Sequence, residues 1–204
     1  LSTSETPITP DAPDYRSALF ELGAVYHEIG RYREAIERLT EAMARAQGDP
    51  RTNEVQFRLA DSHRRFAREL EDRLSEEPNL TPTERADLRE RVNEHLRTAQ
   101  GGFDRVCIGY GELDPRFLDR LQRAFERESW LSRAHCAYDL GEYEEAARLY
   151  DRVSRRYGEE HVALEALVQI VNCYQKLGDP HQADIAHRNA MTRLHQLPLS
   201  LIHI

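Results

Sequence analysis

A chain of 204 residues with 31% charged and 40% hydrophobic side chains has apolar material for a thin core, as in stacks whose units touch only their neighbours. Lys and Arg number 28 against 36 Asp and Glu, a net charge of −8, with Arg scattered among acids; this excludes a nucleic-acid backbone as the natural partner. No run approaches the ~18 consecutive apolar residues of a membrane helix, so membrane insertion within this stretch is excluded as well.

Leu1–Asp14 carries three prolines and several hydroxyl residues, and reads as a disordered linker. Because the chain starts at Leu1 and not at Met, it reads as a fragment of a longer protein. From Tyr15, a helical stripe of Leu19, Leu22, Gly23 and Tyr26 ends at Gly30, where a left-handed cap costs glycine nothing. A second stripe follows at Tyr32, Ala35, Ile36, Leu39, Ala42 and Met43, with Gly23 and Ala35 small enough to bring the two helices close. The next pair is stretched. Val55, Leu59, Ala60 and His63 mark its first helix, and Ala99, Phe103 and Val106 its second. Leu59 to Ala99 is 40 residues, against 13 from Leu22 to Ala35, so about 27 are inserted. Thr81-Pro82-Thr83-Glu84 is a capping box, and Leu88, Val92 and Leu96 continue the apolar period behind it. The spacing predicts two long helices, Asn53–Glu76 and Pro82–Ile108, joined by Glu77-Pro78-Asn79. At ~36–40 Å each, they would form a hairpin that protrudes past ordinary repeat helices.

A third long helix is expected from Asp114-Pro115 to Leu140, with the stripe Phe117, Leu118, Leu121, Phe125, Leu131 and Ala134. Trp130, Ala134 and Ala137 lead to Gly141, followed by Tyr143, Ala146, Tyr150 and Val153. Leu167, Ile170, Val171 and Tyr174 lead to Gly178, followed by Ala183 and Ala190. Gly178-Asp179-Pro180 combines a helix stop, an N-cap and a first-turn proline. The last residues, Leu199–Ile204 (LSLIHI), continue no period and coincide with one reading frame of a common transposon-end sequencing adaptor. Residues 197–204 are therefore read as a non-native or disordered tail.

The L-G-x2-Y of the first pair, its later A-x3-L, and Gly30–Ala35, Gly141–Ala146 and Gly178–Ala183 at one common spacing together resemble the tetratricopeptide repeat. The resemblance implies an all-α fold, a right-handed α-solenoid of antiparallel helix pairs with about four units: 15–50, 53–111 (carrying the insertion), 114–158 and 161–196. Gly141 to Gly178 is 37 residues, longer than the usual ~34. The extra length around Arg156-Tyr157-Gly158-Glu159 is similar to that in bacterial envelope-type repeat proteins.

Catalytic and cofactor motifs are not found. His27-Glu28 is followed by Arg31 where a zinc-protease helix needs histidine, and none of the nine histidines has another three or four residues away, so no metal site is expected. Gly109-Tyr110-Gly111 is too short for a phosphate loop and reads as a helix break. Glu76-Glu77, Glu144-Glu145 and Glu159-Glu160 read as solvated faces, and Cys107, Cys136 and Cys173 as buried small residues. The chain is therefore expected not to be an enzyme and to need no cofactor.

What the resemblance implies is a non-catalytic scaffold that binds a peptide or partner protein in a concave groove lined by the first helix of each pair. Carried over by register, the groove would take Phe20, His27 and Glu28 from the first unit and Phe57, Asp61, Arg64 and Arg65 from the second. The third would give His135, Tyr138 and Asp139, and the fourth Asn172, Gln175 and Lys176, with Ala24, Leu131 and Val168 beside them. Arg64, Arg65, Asn172 and Lys176 are only fragments of the family's carboxylate clamp. Two alternatives stand beside this reading: the repeat region of a larger enzyme or signalling protein, and self-association through the 53–111 hairpin. The compartment, cytoplasm or bacterial envelope, is not set by these residues.

Overall fold

The computed structural model describes residues 13–45, 48–158 and 160–196, with side chains from Asp14 onward. Among them are eight α-helices and no strand: α1 (Pro13–Glu28), α2 (Tyr32–Arg45), α3 (Thr52–Glu76), α4 (Pro82–Gly111), α5 (Arg120–Asp139), α6 (Tyr143–Arg156), α7 (His161–Lys176) and α8 (Pro180–Gln196). Residues 1–12 of the expected linker, the expected tail 197–204, and Glu159 lie outside the described residues. Pro13 and Asp14, assigned above to the linker, instead open α1.

Three helix ends are built alike. At Gly30, Gly141 and Gly178 the backbone turns left-handed, with φ of 78°, 78° and 69°. Each glycine N–H donates three residues back, to the carbonyl of His27, Tyr138 or Gln175. The following residue donates five back, Arg31 to Tyr26, Glu142 to Ala137 and Asp179 to Tyr174, at 2.8–3.0 Å. This double closure is the Schellman motif. The next helix begins at once, since Ala35, Ala146 and Ala183 donate to the carbonyls of Arg31, Glu142 and Asp179. Asp179 also caps α8 as expected, accepting from the Gln182 N–H at 3.0 Å.

The described residues fall into two compact units that divide between Phe117 and Leu118. In the first, α1 packs on α2, α2 on α3 and α3 on α4, and α1 also touches α3. Leu19, Phe20, Ala24, Ala35, Leu39, Ala42 and Val55 form the core of its first half. A Cβ on Gly23 would sit 2.7 Å from the Leu39 side chain, so the absence of a side chain there sets the α1–α2 approach. Leu22, placed above on the same seam, faces solvent instead.

The long hairpin has the expected bounds within a few residues, and Thr81 and Glu84 form the reciprocal capping box. Its seam is filled by Val92, Leu96, Ala99, Val106 and the edge-to-face pair Phe57–Phe103, with ring centroids 5.9 Å apart. Gly102 lets α4 lie against Ala60 of α3.

The second unit stacks α5 on α6, α6 on α7 and α7 on α8, with α5 touching α7. Its core includes Ala134, Ala137, Ala146, Leu149, Tyr150, Val153, Ala166, Ile170 and Cys173. Arg156, opening the longer turn, pairs with the buried Glu126 and lies 5.2 Å from the Trp130 ring centroid, tying α6 to α5. The three cysteines are buried and free of disulfides.

The helix expected from Asp114 to Leu140 is broken. Pro115–Phe117 is a short 3-10 turn in which Asp114 accepts from the Arg116 N–H at 2.9 Å. A second capping box then starts α5: the Asp119 carboxylate takes the Gln122 N–H at 2.8 Å, and the Gln122 amide oxygen takes the Asp119 N–H at 3.0 Å. Phe117 and Leu121, counted above as one apolar stripe, are 82% and 51% exposed. The D-x-x-Q signal decides the start and outweighs the apolar period.

Gly102→Ala should destabilise the first unit by about 1–3 kcal/mol, read from urea denaturation, because the new methyl would lie 2.7 Å from the Ala60 Cβ and small, rigid Ala60 has no rotamer to yield.

Candidate functional site

In the first unit, the α1–α3 contact brings together His27, Asp61, Arg64 and Arg65. Asp61 is a buried carboxylate. A group of that kind is stable only if paired and hydrogen-bonded. Arg65 Nε donates to its Oδ2 at 2.6 Å, Arg64 Nη2 to Oδ1 at 2.9 Å, and His27 Nε2 lies 3.4 Å away. His27 Nδ1 is 3.1 Å from the Ser62 hydroxyl. Arg65 further reaches the Tyr32 hydroxyl on α2 at 3.4 Å. Burial lowers the His27 pKa; Asp61 opposes this, and Arg65 and Arg58 add to it. Glu28 and Arg65 remain exposed, whereas Phe20 and Phe57 are core residues and offer no ring to a ligand. Arg64 and Arg65 are both bound to Asp61, so neither stands ready as part of a carboxylate clamp.

In the second unit, His135 Nδ1 meets the Tyr150 hydroxyl at 2.6 Å and its Nε2 lies 3.5 Å from Glu165 of α7. Burial pushes the Glu165 carboxyl up, helped by Glu128. Burial likewise raises Tyr150 and moves the Cys173 thiol up to about 11, so that thiol stays protonated and inert at neutral pH. Tyr138 packs edge-on against Tyr143 at 5.2 Å. The Asn172 amide donates along its own helix, to Gln169 at 3.0 Å. Asp139, Gln175 and Lys176 are exposed, as is Val168, while Leu131 is core. The polar surface is thus centred on His135–Glu165. Glu165, which register alone did not single out, faces it from the next first helix.

Residues 18–51, covering α1 from Ala18 onward, the Gly30 turn and α2, match the family model for the tetratricopeptide repeat. The chain carries a tetratricopeptide repeat. Two crystal structures of nearly identical TPR-like repeats from a putative kinesin light chain of Podosopora anserina, one of them a single-substitution variant, are similar to it at 16% identity. They align over 92% of this chain and 97% or 96% of theirs, with TM-scores of 0.42 and 0.40. A search of curated proteins returns no match.

Within the repeat and its neighbour, Ser62, His27 and Asp61 stand in the order of a nucleophilic relay, but the geometry is structural. Ser62 is fully buried and its hydroxyl donates to the Arg58 carbonyl at 2.7 Å, so no substrate can reach it. A second histidine contact joins α3 and α4 in the hairpin. His63 Nδ1 and His95 Nδ1 are 2.8 Å apart, with Phe66 edge-on to His95. The two nitrogens share one proton; two protons would face each other. Sequence spacing could not find this pair, because its members lie 32 residues apart on different helices. Among the described residues, no group of three or more His, Cys, Asp or Glu side chains could hold a metal ion.

Burial and His95 lower His63 from 6.5 to about 4. The unfolded chain therefore takes up a proton that the folded one refuses as pH falls from about 6.5 to about 4, and stability should drop by up to about 3 kcal/mol across that window. Chemical denaturation across pH should show it, and His63→Leu should reduce the slope, leaving the part that comes from His27 and His95, which burial also lowers. Asp61→Asn should lower the His27 pKa further, measured by NMR titration, and cost about 1–3 kcal/mol by weakening the pairing of two guanidiniums.

Proposed function

We propose that the chain is a non-catalytic protein-interaction module whose first helices present peptide-binding faces, one in each compact unit. One observation carries the reading. In both units the facing first helices hold polar groups together, the buried Asp61 with the half-buried His27 and the exposed Arg65 between α1 and α3, and the half-buried His135 and Glu165 between α5 and α7. Side chains already held by their neighbours lose little further entropy on meeting a ligand, so such a face is prepared for polar recognition. The exposed Glu28, Asp139, Gln175 and Lys176 surround these pairs and would choose the partner by charge.

The ligand fitting this chemistry is an extended or helical peptide segment of a partner protein, polar on the side that meets the histidines. No step of bond chemistry is assigned to either face. Asp61 sits against two arginines, and the buried hydroxyl and thiol groups are closed to solvent.

Peptides selected by display on the full chain should lose at least about tenfold in affinity when His135, Tyr138 and Asn172 are all changed to alanine. Arg65→Ala should do the same for peptides held by the first unit. Circular dichroism melting checks that the variants stay folded. Undiminished binding in both variants would move the contact to another face or to the hairpin.

A further inference from the structure

The exposed residues of α1 form a single face. Asp14, Ala18, Glu21, Leu22, Val25 and Glu28 are exposed, and Ile29 extends the row past the helix end. Ala18, Leu22, Val25 and Ile29 recur at intervals of four, three and four, which is one helical stripe. Leu22, Val25 and Ile29 are 42%, 50% and 61% exposed. A helix apolar on two sides has two partners to satisfy. One side of α1 is already met by α2 and α3 through Leu19, Phe20, Gly23 and Ala24.

The internal register says what belongs on the other side. Aligning Gly30 with Gly178 places Ala18, Leu22, Val25 and Ile29 on Ala166, Ile170, Cys173 and Leu177 of α7. There the same positions are covered: Ala166, Ile170 and Cys173 are 0%, 9% and 0% exposed, in one cluster with Ala146, Tyr150 and Val153 of the preceding helix α6. The stripe on α1 is therefore a stacking face of the kind that α6 closes on α7.

We infer that this face docks an amphipathic helix of a partner protein, with an apolar stripe spaced like that of α6 and basic residues along its edges. The basic edges follow from α1 itself, where every exposed residue that is not apolar is an acid: Asp14, Glu21 and Glu28. Glu21 and Glu28 reach Arg51 and Arg58 at 3.4 and 3.5 Å and keep much of their surface in solvent. A second copy fits poorly. Placed α1 on α1, it sets acid against acid. Placed head to tail, it brings α8, where register puts the exposed Asp184 and His187 in place of the buried Ala147 and Tyr150 of α6.

The probe is a labelled, acetylated and amidated peptide of residues 142–157, the α6 segment, with Glu145→Arg and Asp151→Arg so that the edges of its apolar stripe are basic, titrated into the full chain by fluorescence anisotropy. Saturable binding is expected, weakened at least about tenfold by Leu22→Glu with Val25→Glu. It should be unchanged by Met191→Glu, an exposed position on α8, and lost when the peptide carries Ala147→Asp and Tyr150→His. Because Leu22 and Val25 are exposed, the variant should melt with the parent. No saturable binding, or binding indifferent to Leu22→Glu with Val25→Glu, overturns the inference. So does a mass in light scattering that doubles for the chain alone and returns to one copy in that variant, since it gives the face to a second copy.

Discussion

Each ordinary helix pair depends on a left-handed residue that turns the chain back on itself. At Gly30, Gly141 and Gly178, φ near +70 to +80° lets two backbone N–H groups close onto the helix just finished while the next begins within two residues. Any side chain there would meet the following carbonyl, at roughly 1–2 kcal/mol. The turn is too short to allow any arrangement but a neighbouring helix lying alongside, and the apolar stripes then have only each other to bury against. Gly23 completes the approach in the first pair by leaving room for Leu39.

The hairpin of α3 and α4 achieves the same end by different means. In place of a left-handed glycine, a proline-containing link and the Thr81–Glu84 box reset the direction. A longer seam replaces the tight turn, and Gly102 does against Ala60 what Gly23 does against Leu39. The length has a cost in polar burial. His63 and His95 meet inside the seam, where burial disfavours a charge on either ring, and acid works against that contact.

Charge is handled locally throughout. Asp61 is buried but shared by two arginines and a histidine, Glu126 is buried but met by Arg156, and half-buried acids such as Glu145 and Asp151 pair one helical turn away. Surface pairs of that kind contribute little to stability. The buried ones hold side chains in place, and they consume the guanidiniums that register alone would have offered to a ligand.

The amino-acid sequence by itself determined the helices, their pairing and the hairpin, because periodicity, glycine stops and capping boxes are all local and act within four or five residues. The start of α5 was legible too, in Asp119-x-x-Gln122, and was obscured only by an apolar period that ran across it. What the sequence could not determine was which side of each helix meets another. Phe20 and Phe57 share the groove register but went to the core; Arg64 and Arg65 turned inward to Asp61; Glu165 came to His135 from the next first helix; and Leu22, in a seam position, was left in solvent. Those outcomes depend on the rotation of one packed helix against the next, a relation between distant segments that only the tertiary structure decided.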